Sequence, residues 1–200
     1  LLLLLSCLLG LTVSVSVKES ERQQKKRALG WTPTQLHLSW TNASSEMCVT
    51  WLSWWEGSET VVHYGHSGVL NMTVRGSTTT FVDPVSLLGT TRYIHRAVMT
   101  RLLPGVQYEY YVEDLTYVGV SHTYSFVARR VDAAWRATYA VFGDFGYLNA
   151  ASLALLTAMM PAYDAVVHNG DFAYNLVDED GFRGDWWFEQ LAPVMVRNRT

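Results

Sequence analysis

The chain is short of charge, of cysteine and of any basic excess, and these shortages narrow the classes of protein to which it can belong. Charged residues make up 16% of the 200 residues and hydrophobic residues 49%, a balance that disfavours disorder and allows a packed core. The formal net charge of -3 argues against nucleic acid or an anionic membrane as the main partner. The length corresponds to about one and a half average domains.

The N-terminal residues predict secretion. Residues 1–17 do not begin with Met and are apolar apart from Ser, Thr, Cys and Gly, which is typical of a signal peptide that is incomplete at its N-terminus. Small residues suit cleavage after Ser16, so we predict a signal over 1–16 and a solvated linker over 17–28. A transmembrane anchor is the alternative, since spanning a bilayer needs roughly 17–25 residues. We expect a secreted protein, extracellular or in the secretory or lysosomal pathway, with no membrane span after cleavage.

Glycosylation sequons agree with secretion, whereas the cysteines argue neither for it nor against it. Three Asn-x-Ser/Thr sequons are candidate glycosylation sites, at Asn42, Asn71 and Asn198. Cys7 falls within the predicted signal, which leaves Cys48 alone. A lone thiol in a secreted chain is either buried or paired with a cysteine outside the sequence, and burial is the interpretation that we favour.

Short alternating runs between residues 29 and 131 predict a β-sandwich. Apolar residues alternate with polar ones, or form short runs between turns, over residues 36–40, 47–51, 61–64, 93–100, 107–113 and 123–127, with turn residues between the runs and no helical period. About 100 residues is the usual size of an immunoglobulin-like domain. The fold class is therefore a fibronectin type III or immunoglobulin-like sandwich, followed by the beginning of an α/β domain over residues 136–200.

Tyr108 adds a local signal for the sandwich. It follows the turn Pro104-Gly105 at the start of a predicted strand, which resembles the tyrosine corner of fibronectin type III and related domains. A surface tyrosine is the alternative, but Tyr108, Tyr110 and Val112 form one apolar face. The histidines of this region lack metal-ligand spacing with carboxylates or thiols and are expected to be polar strand and turn positions; they are His37, His63, His66, His95 and His122.

The remaining sequence predicts a β-α-β unit. Apolar runs at 139–142 and 165–167 flank a helix predicted over 150–160, which Asn149 would cap and Pro161 would end. Leu153, Leu156 and Met160 would face the sheet. We expect residues 178–180 to form a solvated loop and residues 186–191 a second short helix with its aromatic side chains on the sheet. His168 should be a core or supporting histidine rather than a ligand, because strand alternation turns it away from Asp171.

Each predicted strand is followed by a glycine and an aspartate, in Gly143-Asp144-Phe145-Gly146 and in Gly170-Asp171-Phe172-Ala173-Tyr174. Open α/β sheets bind their ligands at the carboxyl ends of the strands. Carboxylates are hard oxygen ligands, and one carboxylate can bridge two cations. A phenol with a pKa of about 10 needs a strongly polarising cation to bind as phenolate. The motifs predict a metal site formed by Asp144, Asp171 and Tyr174, with ferric iron the natural candidate, and sharp turns at Gly143 and Gly170.

The two motifs resemble the first two metal motifs of the purple acid phosphatases, within the metallophosphoesterase superfamily. Many members of that superfamily have a His where this chain has Gly146, and Tyr174 would supply the missing ligand. Further stretches resemble the long animal form of the family, at residues 33–40, 47–51, 93–96, 102–108 and 140–144. The resemblance covers the chain from about Leu29 onwards and identifies it as an N-terminal fragment of such an enzyme.

The resemblance implies an acid phosphatase that hydrolyses small phosphate monoesters through a hydroxide activated by two metals. Asp144 and Tyr174 would bind Fe(III), and Asp171 would bridge to a divalent Zn, Fe or Mn. The family completes its site with a Gly-Asn-His motif and two further His motifs, none of which occurs here. We therefore expect weak metal binding and little turnover from this chain alone, and assign it no catalytic residue beyond the ligands.

Two other functions remain open from the sequence. The first is a different two-metal phosphoesterase, such as a diesterase. A ferric-phenolate absorption band in the full-length protein would argue against this alternative. The second is a non-enzymatic sandwich module with a remnant catalytic domain. Absence of the downstream motifs from the complete gene product would favour this alternative.

Overall fold

A computed structural model describes residues 30–57, 59–84, 90–117, 119–172 and 174–197. The predicted signal and linker, Cys7 and Asn198 lie outside these residues. No helix among the described residues has the length and apolar character that a membrane crossing requires.

Two antiparallel sheets form a sandwich over residues 34–127 of the described chain. The strands are β1 (Thr34–Trp40), β2 (Met47–Ser53), β3 (Thr60–His66), β4 (Val69–Arg75), β5 (Ser77–Val82), β6 (Thr91–Met99), β7 (Gln107–Asp114), β8 (Gly119–Val120) and β9 (Tyr124–Val127). One sheet has the order β1-β2-β6-β5, and the other β4-β3-β7-β8, with β9 also paired to β7. The predicted sandwich fold is confirmed.

The inward faces of both sheets form one aromatic-rich core. Trp51 of the first sheet and Tyr108, Tyr110 and Phe126 of the second are all buried in it. Each buried aromatic side chain removes about 150–250 Å² of surface from water, so a few of them dominate the stability of a small sandwich. The Tyr108 hydroxyl accepts a hydrogen bond of 2.9 Å from the backbone N–H of Leu103. The tyrosine corner predicted from the sequence is therefore present.

The first sheet also accounts for Cys48. The thiol is free and fully buried, as we expected, and the Arg96 guanidinium donates a hydrogen bond of 2.9 Å from Nε to Sγ. Burial removes this thiol from solvent, so no disulfide is needed to explain the lone cysteine.

His95 is fully buried in the same sheet, where hydrogen bonds define its tautomer. The Ser53 hydroxyl donates to the carbonyl of Trp55 at 2.8 Å, so its oxygen accepts the Nε2–H of His95 at 2.7 Å. Nδ1 then accepts from the Thr78 hydroxyl at 2.8 Å. Desolvation lowers the pKa of His95 to about 4, against a smaller opposing effect of the Asp114 charge. The imidazole is therefore neutral at neutral pH.

This buried neutral imidazole predicts acid sensitivity. Because the pKa of His95 is depressed on folding, its stabilisation is complete above pH 6.5 and is lost as the pH falls towards 4. Between pH 7 and pH 5 this group should cost about 2 kcal/mol in the free energy of unfolding, measured by urea denaturation. The variant His95→Gln should lose that part of the pH dependence, whereas His122→Gln, at an exposed histidine, should keep it. Equal pH profiles for the two variants would contradict the assignment.

The β-α-β unit follows after residues 128–138, which contain no strand or helix. Strands β10 (Tyr139–Phe142) and β11 (Ala165–His168) are parallel, with Tyr139 opposite Ala165 and Phe142 opposite His168. Between them lie α1 (Leu153–Ala158) and a 3₁₀ turn (Met160–Ala162).

Helix α1 is shorter than we predicted. Its N-cap is Ser152 rather than Asn149, and Pro161 lies inside the 3₁₀ turn. Proline favours such a first-turn position because its missing N–H would be unpaired there in any case. Leu153 and Leu156 are half-buried and pack against the cluster around Phe145, which confirms the predicted apolar stripe at these two positions.

The last described element is the helix α2 (Phe182–Met195), which is longer than the predicted 186–191. It contacts β1 of the sandwich as well as the β-α-β unit. The preceding acidic residues 178–180, predicted as a solvated loop, are partly held by ion pairs with this helix: Arg183 lies 3.6 Å from Asp178 and 3.9 Å from Glu179. Helix α2 thus lies between the two parts of the chain, which the sequence pattern did not indicate.

Candidate metal centre

The two Gly-Asp motifs lie side by side at the carboxyl ends of β10 and β11. The N–H of Asn169 donates to the carbonyl of Phe142 at 2.6 Å, and the N–H of Asp144 lies 3.4 Å from the carbonyl of Gly170. A parallel bridge then pairs Phe145 with Phe172. The sheet pairing therefore extends through both turns and holds their aspartates at one edge.

Positive φ angles turn the chain sharply at both motifs. Asp144 has φ of 52°, Asp171 has φ of 50°, and Gly170 has φ of 85°, a region that glycine enters readily and that aspartate tolerates. Gly143 does not have a positive φ, so at the first motif the left-handed residue is Asp144 rather than the glycine. A Cβ at Gly143 would lie 3.1 Å from the carbonyl oxygen of Asn169, so this glycine permits the close approach of the two turns.

Tyr174 and Asp144 meet in the structure. The Tyr174 hydroxyl donates a hydrogen bond of 2.6 Å to Oδ1 of Asp144, and both side chains are exposed. This hydrogen bond raises the pKa of Tyr174 to about 12, with smaller effects of desolvation and of the charges of Asp144 and Asp171. The phenol is therefore protonated at neutral pH, and a cation that bound the phenolate would displace this proton.

The donor set fits a hard cation only in part. Carboxylate and phenolate oxygens are hard ligands, and two of them already converge at Asp144 and Tyr174. Asp171 follows the neighbouring strand and is close enough for its charge to raise the pKa of Tyr174. Within the described residues, however, no three His, Cys, Asp or Glu side chains are grouped as a metal site. A cation held by the three candidate ligands would therefore need further donors.

Gly146 leaves room that a neighbouring side chain takes. A Cβ at Gly146 would overlap the side-chain oxygen of Asn149. A histidine at this position would therefore require Asn149 to move.

His168 lies among aromatic rings, as we expected for a core histidine. Its ring stacks on Phe172 at 4.3 Å between centroids and meets Phe142 and Trp187 edge to face at 5.0 and 5.6 Å. Neither ring nitrogen has a hydrogen-bond partner among the described residues. Desolvation lowers the pKa of His168, against an opposing effect of Asp171. Its role is to pack beneath the turns in its neutral form.

Helix α2 supports these turns through side chains that were not predicted from the sequence. The indole N–H of Trp187 donates to the carbonyl of Phe145 at 2.7 Å. Asp185, two residues earlier, accepts hydrogen bonds from Arg92 and Gln35 of the sandwich. The available signal was the unusual Asp185-Trp186-Trp187 sequence, in which one acidic residue precedes two large aromatics in a helix with an otherwise apolar face.

Three comparisons with known proteins agree on one family. The family model described as the purple acid phosphatase N-terminal domain matches residues 33–128. Human acid phosphatase type 7 is 37% identical over 166 residues, which cover 81% of this chain and 37% of the human protein. The mouse protein is 35% identical over 167 residues, which cover 82% of this chain and 37% of the mouse protein.

A solved structure supports the fold. The purple acid phosphatase from yellow lupin (Lupinus luteus) seeds superimposes with a TM-score of 0.69 at 20% identity, over 84% of this chain and 34% of the lupin chain. The chain spans 37% of the length of the two mammalian relatives. The similarity thus covers most of this chain and a minor part of each relative.

Proposed function

This chain belongs to the purple acid phosphatase family, whose members are metal-dependent phosphatases, and we propose that it contributes the first ligands of a two-metal centre in a longer enzyme. That enzyme would hydrolyse small phosphate monoesters. Asp144 and Tyr174 would hold Fe(III), and Asp171 would bridge to a divalent Zn, Fe or Mn.

The contact between Tyr174 and Asp144 is the observation that carries this proposal. A phenol and a carboxylate from different motifs lie 2.6 Å apart at the carboxyl edge of a parallel sheet. A hydrogen bond alone gives an exposed pair little stability. Two hard oxygen donors that meet beside a third, on Asp171, are in contrast well suited to bind a cation.

In this proposal the chain's own residues hold and orient the cations. When bound, two cations would supply an activated hydroxide and stabilise the charge of the phosphoryl group. Asp144 and Tyr174 approach from different turns, so their oxygens would hold a cation between the two motifs. Phe145 is buried beneath the first turn against Phe142, whereas Asp144 and Asp171 are exposed, so the carboxylates would be open to substrate.

We also propose that this chain alone turns over little substrate. It provides three candidate ligands, and its sequence contains neither the Gly-Asn-His motif nor the further His motifs expected of the family. Metal binding is correspondingly weak when a site lacks donors. The outcome to look for is no phosphatase activity above background from the purified chain with added Fe(III) and Zn²⁺.

Secretion and glycosylation complete the proposal. Asn42 and Asn71 are exposed, as acceptors of N-linked glycans must be. A shift in mass on treatment with an N-glycosidase, after expression in cells with a secretory pathway, is the expected result.

The decisive experiment uses a protein of the relatives' length that contains this chain. We expect a visible ferric-phenolate absorption band and hydrolysis of p-nitrophenyl phosphate at acidic pH. Faster hydrolysis of bis(p-nitrophenyl) phosphate would favour a diesterase instead. Absence of both the band and hydrolysis would favour a non-enzymatic sandwich module.

A further inference from the structure

A buried ion pair joins α2 to the sandwich. Arg92 on β6 donates from Nε to both carboxylate oxygens of Asp185, at 3.0 and 3.1 Å, and from Nη2 to Oδ2 at 2.8 Å. The two side chains are 7% and 9% exposed. Gln35 on β1 adds a hydrogen bond of 2.9 Å from its side-chain amide to Oδ1. We call Gln35, Arg92 and Asp185 the clamp.

Further contacts hold α2 along its length. The backbone N–H of Gln35, which has a positive φ of 55°, donates to Oε1 of Glu189 at 2.5 Å. Just beyond the C-terminal end of α2, the Tyr110 hydroxyl donates to the carbonyl of Val196 at 2.9 Å, and Val196 lies in the sandwich core. The sandwich therefore fixes both the rotation and the position of the helix.

The opposite side of α2 contacts the metal motifs. Trp187 lies two positions after Asp185, a rotation of about 200° in an α-helix, so the two side chains face opposite ways. Trp187 is buried, and its indole N–H donates to the carbonyl of Phe145 at 2.7 Å. Phe145 directly follows Asp144, whose φ of 52° is uncommon for a non-glycine residue and is maintained by its surroundings.

We propose that the sandwich positions the metal centre, because the clamp fixes α2 and Trp187 on α2 fixes the turn that carries Asp144. Trp187, Arg92 and Gln35 are in this proposal positioning residues for metal binding. The sandwich is thereby a scaffold of the site rather than an independent binding module. This inference rests on the proposed function, since it assigns Asp144 as a ligand.

The test compares metal affinity in variants of the whole chain. Trp187→Phe removes the indole N–H and keeps a ring, whereas Trp51→Phe removes the same group from a buried tryptophan of the sandwich core. The double variant Arg92→Met/Asp185→Leu replaces the clamp with apolar side chains. Binding of Mn²⁺ alone is measured from the electron paramagnetic resonance signal of the free ion, and folding from near-ultraviolet circular dichroism.

We expect Trp187→Phe and the double variant to weaken Mn²⁺ binding about tenfold, as loss of groups that orient ligands does. Trp51→Phe should leave the affinity unchanged even if it lowers stability. Equal affinity losses in Trp187→Phe and Trp51→Phe would overturn the role of Trp187. Unchanged affinity in the double variant would overturn the role of the sandwich.

A second measurement decides the inference without a metal. Amide hydrogen exchange at residues 144–146 should become about tenfold faster in Trp187→Phe and in the double variant, and stay unchanged in Trp51→Phe, because only the first two release the turn. Absence of Mn²⁺ binding from a protein of the relatives' length that contains this chain would overturn the proposed function, because that protein should supply the remaining donors. The exchange rates still decide whether the clamp and Trp187 position the turn.

Discussion

Replacing Asp185 with alanine should lower the free energy of unfolding by about 3–5 kcal/mol, the usual result of removing one partner of a buried ion pair. The variant Asp185→Ala leaves the Arg92 guanidinium with its side chain only 7% exposed and without its bidentate acceptor. It also removes the acceptor of the Gln35 side chain. The remaining carboxylate near Arg92, on Asp83, lies 3.7 Å from Nη1 and compensates only in part. Urea denaturation followed by fluorescence at pH 7 measures the loss.

Two further variants show whether the loss comes from the unpaired charge. Asp178→Ala removes a partly exposed carboxylate 3.6 Å from Arg183 and should cost about 0–1 kcal/mol. Arg92→Met/Asp185→Leu removes both charges of the pair and should recover part of the stability, because apolar residues can replace a buried ion pair at little cost. The recovery is incomplete because the buried Asp83 carboxylate then loses the guanidinium 3.7 Å away. A loss in the double variant as large as that in Asp185→Ala would contradict this explanation.

The sandwich could be predicted from sequence where its strands have one buried face. In β7, Tyr108, Tyr110 and Val112 alternate with more exposed residues and are all buried, so the period of two was visible. β5 was missed because its six residues are all exposed and show no alternation. β4 was missed as well, although Leu70, Met72 and Val74 alternate with exposed residues. There, the period-two signal was present in the sequence and was overlooked.

The sequence predicts the part of the candidate site that depends on local patterns, but not the contacts between residues far apart in the chain. Strand runs followed by Gly-Asp turns place Asp144 and Asp171 at one sheet edge, because parallel strands share their carboxyl ends. Nothing local predicts that Arg92 pairs with Asp185, since they are 93 positions apart in the sequence. The irregular pairing of β1 between Thr34 and His37, which presents Gln35 to α2, also departs from the alternation that sequence patterns assume. The position of α2 therefore required the structure.

In a protein of the relatives' length that contains this chain, replacing Tyr174 with phenylalanine should abolish the ferric-phenolate absorption band. The same variant should bind Fe(III) at least about a hundredfold more weakly. The phenol is the one candidate ligand whose removal leaves both carboxylates in place, so the variant isolates the phenolate. Loss of a group that merely supports a ligand already costs 10–100-fold in affinity, and loss of a ligand should cost at least the upper value. Titration with Fe(III) nitrilotriacetate, followed in the visible range, measures both quantities.

A neighbouring phenol and the pH dependence make this test specific. Tyr147→Phe removes a hydroxyl three residues from Asp144 on a ring that packs near Trp186, and it should leave the band unchanged. Because the hydrogen bond to Asp144 holds the proton of Tyr174 and raises its pKa to about 12, Fe(III) binding must release that proton and should tighten as the pH rises. Tyr174→Phe should release one proton fewer and show a correspondingly weaker pH dependence. A band that persists in Tyr174→Phe would show that this phenol is not the iron ligand, and the proposed division of ligands would then be wrong.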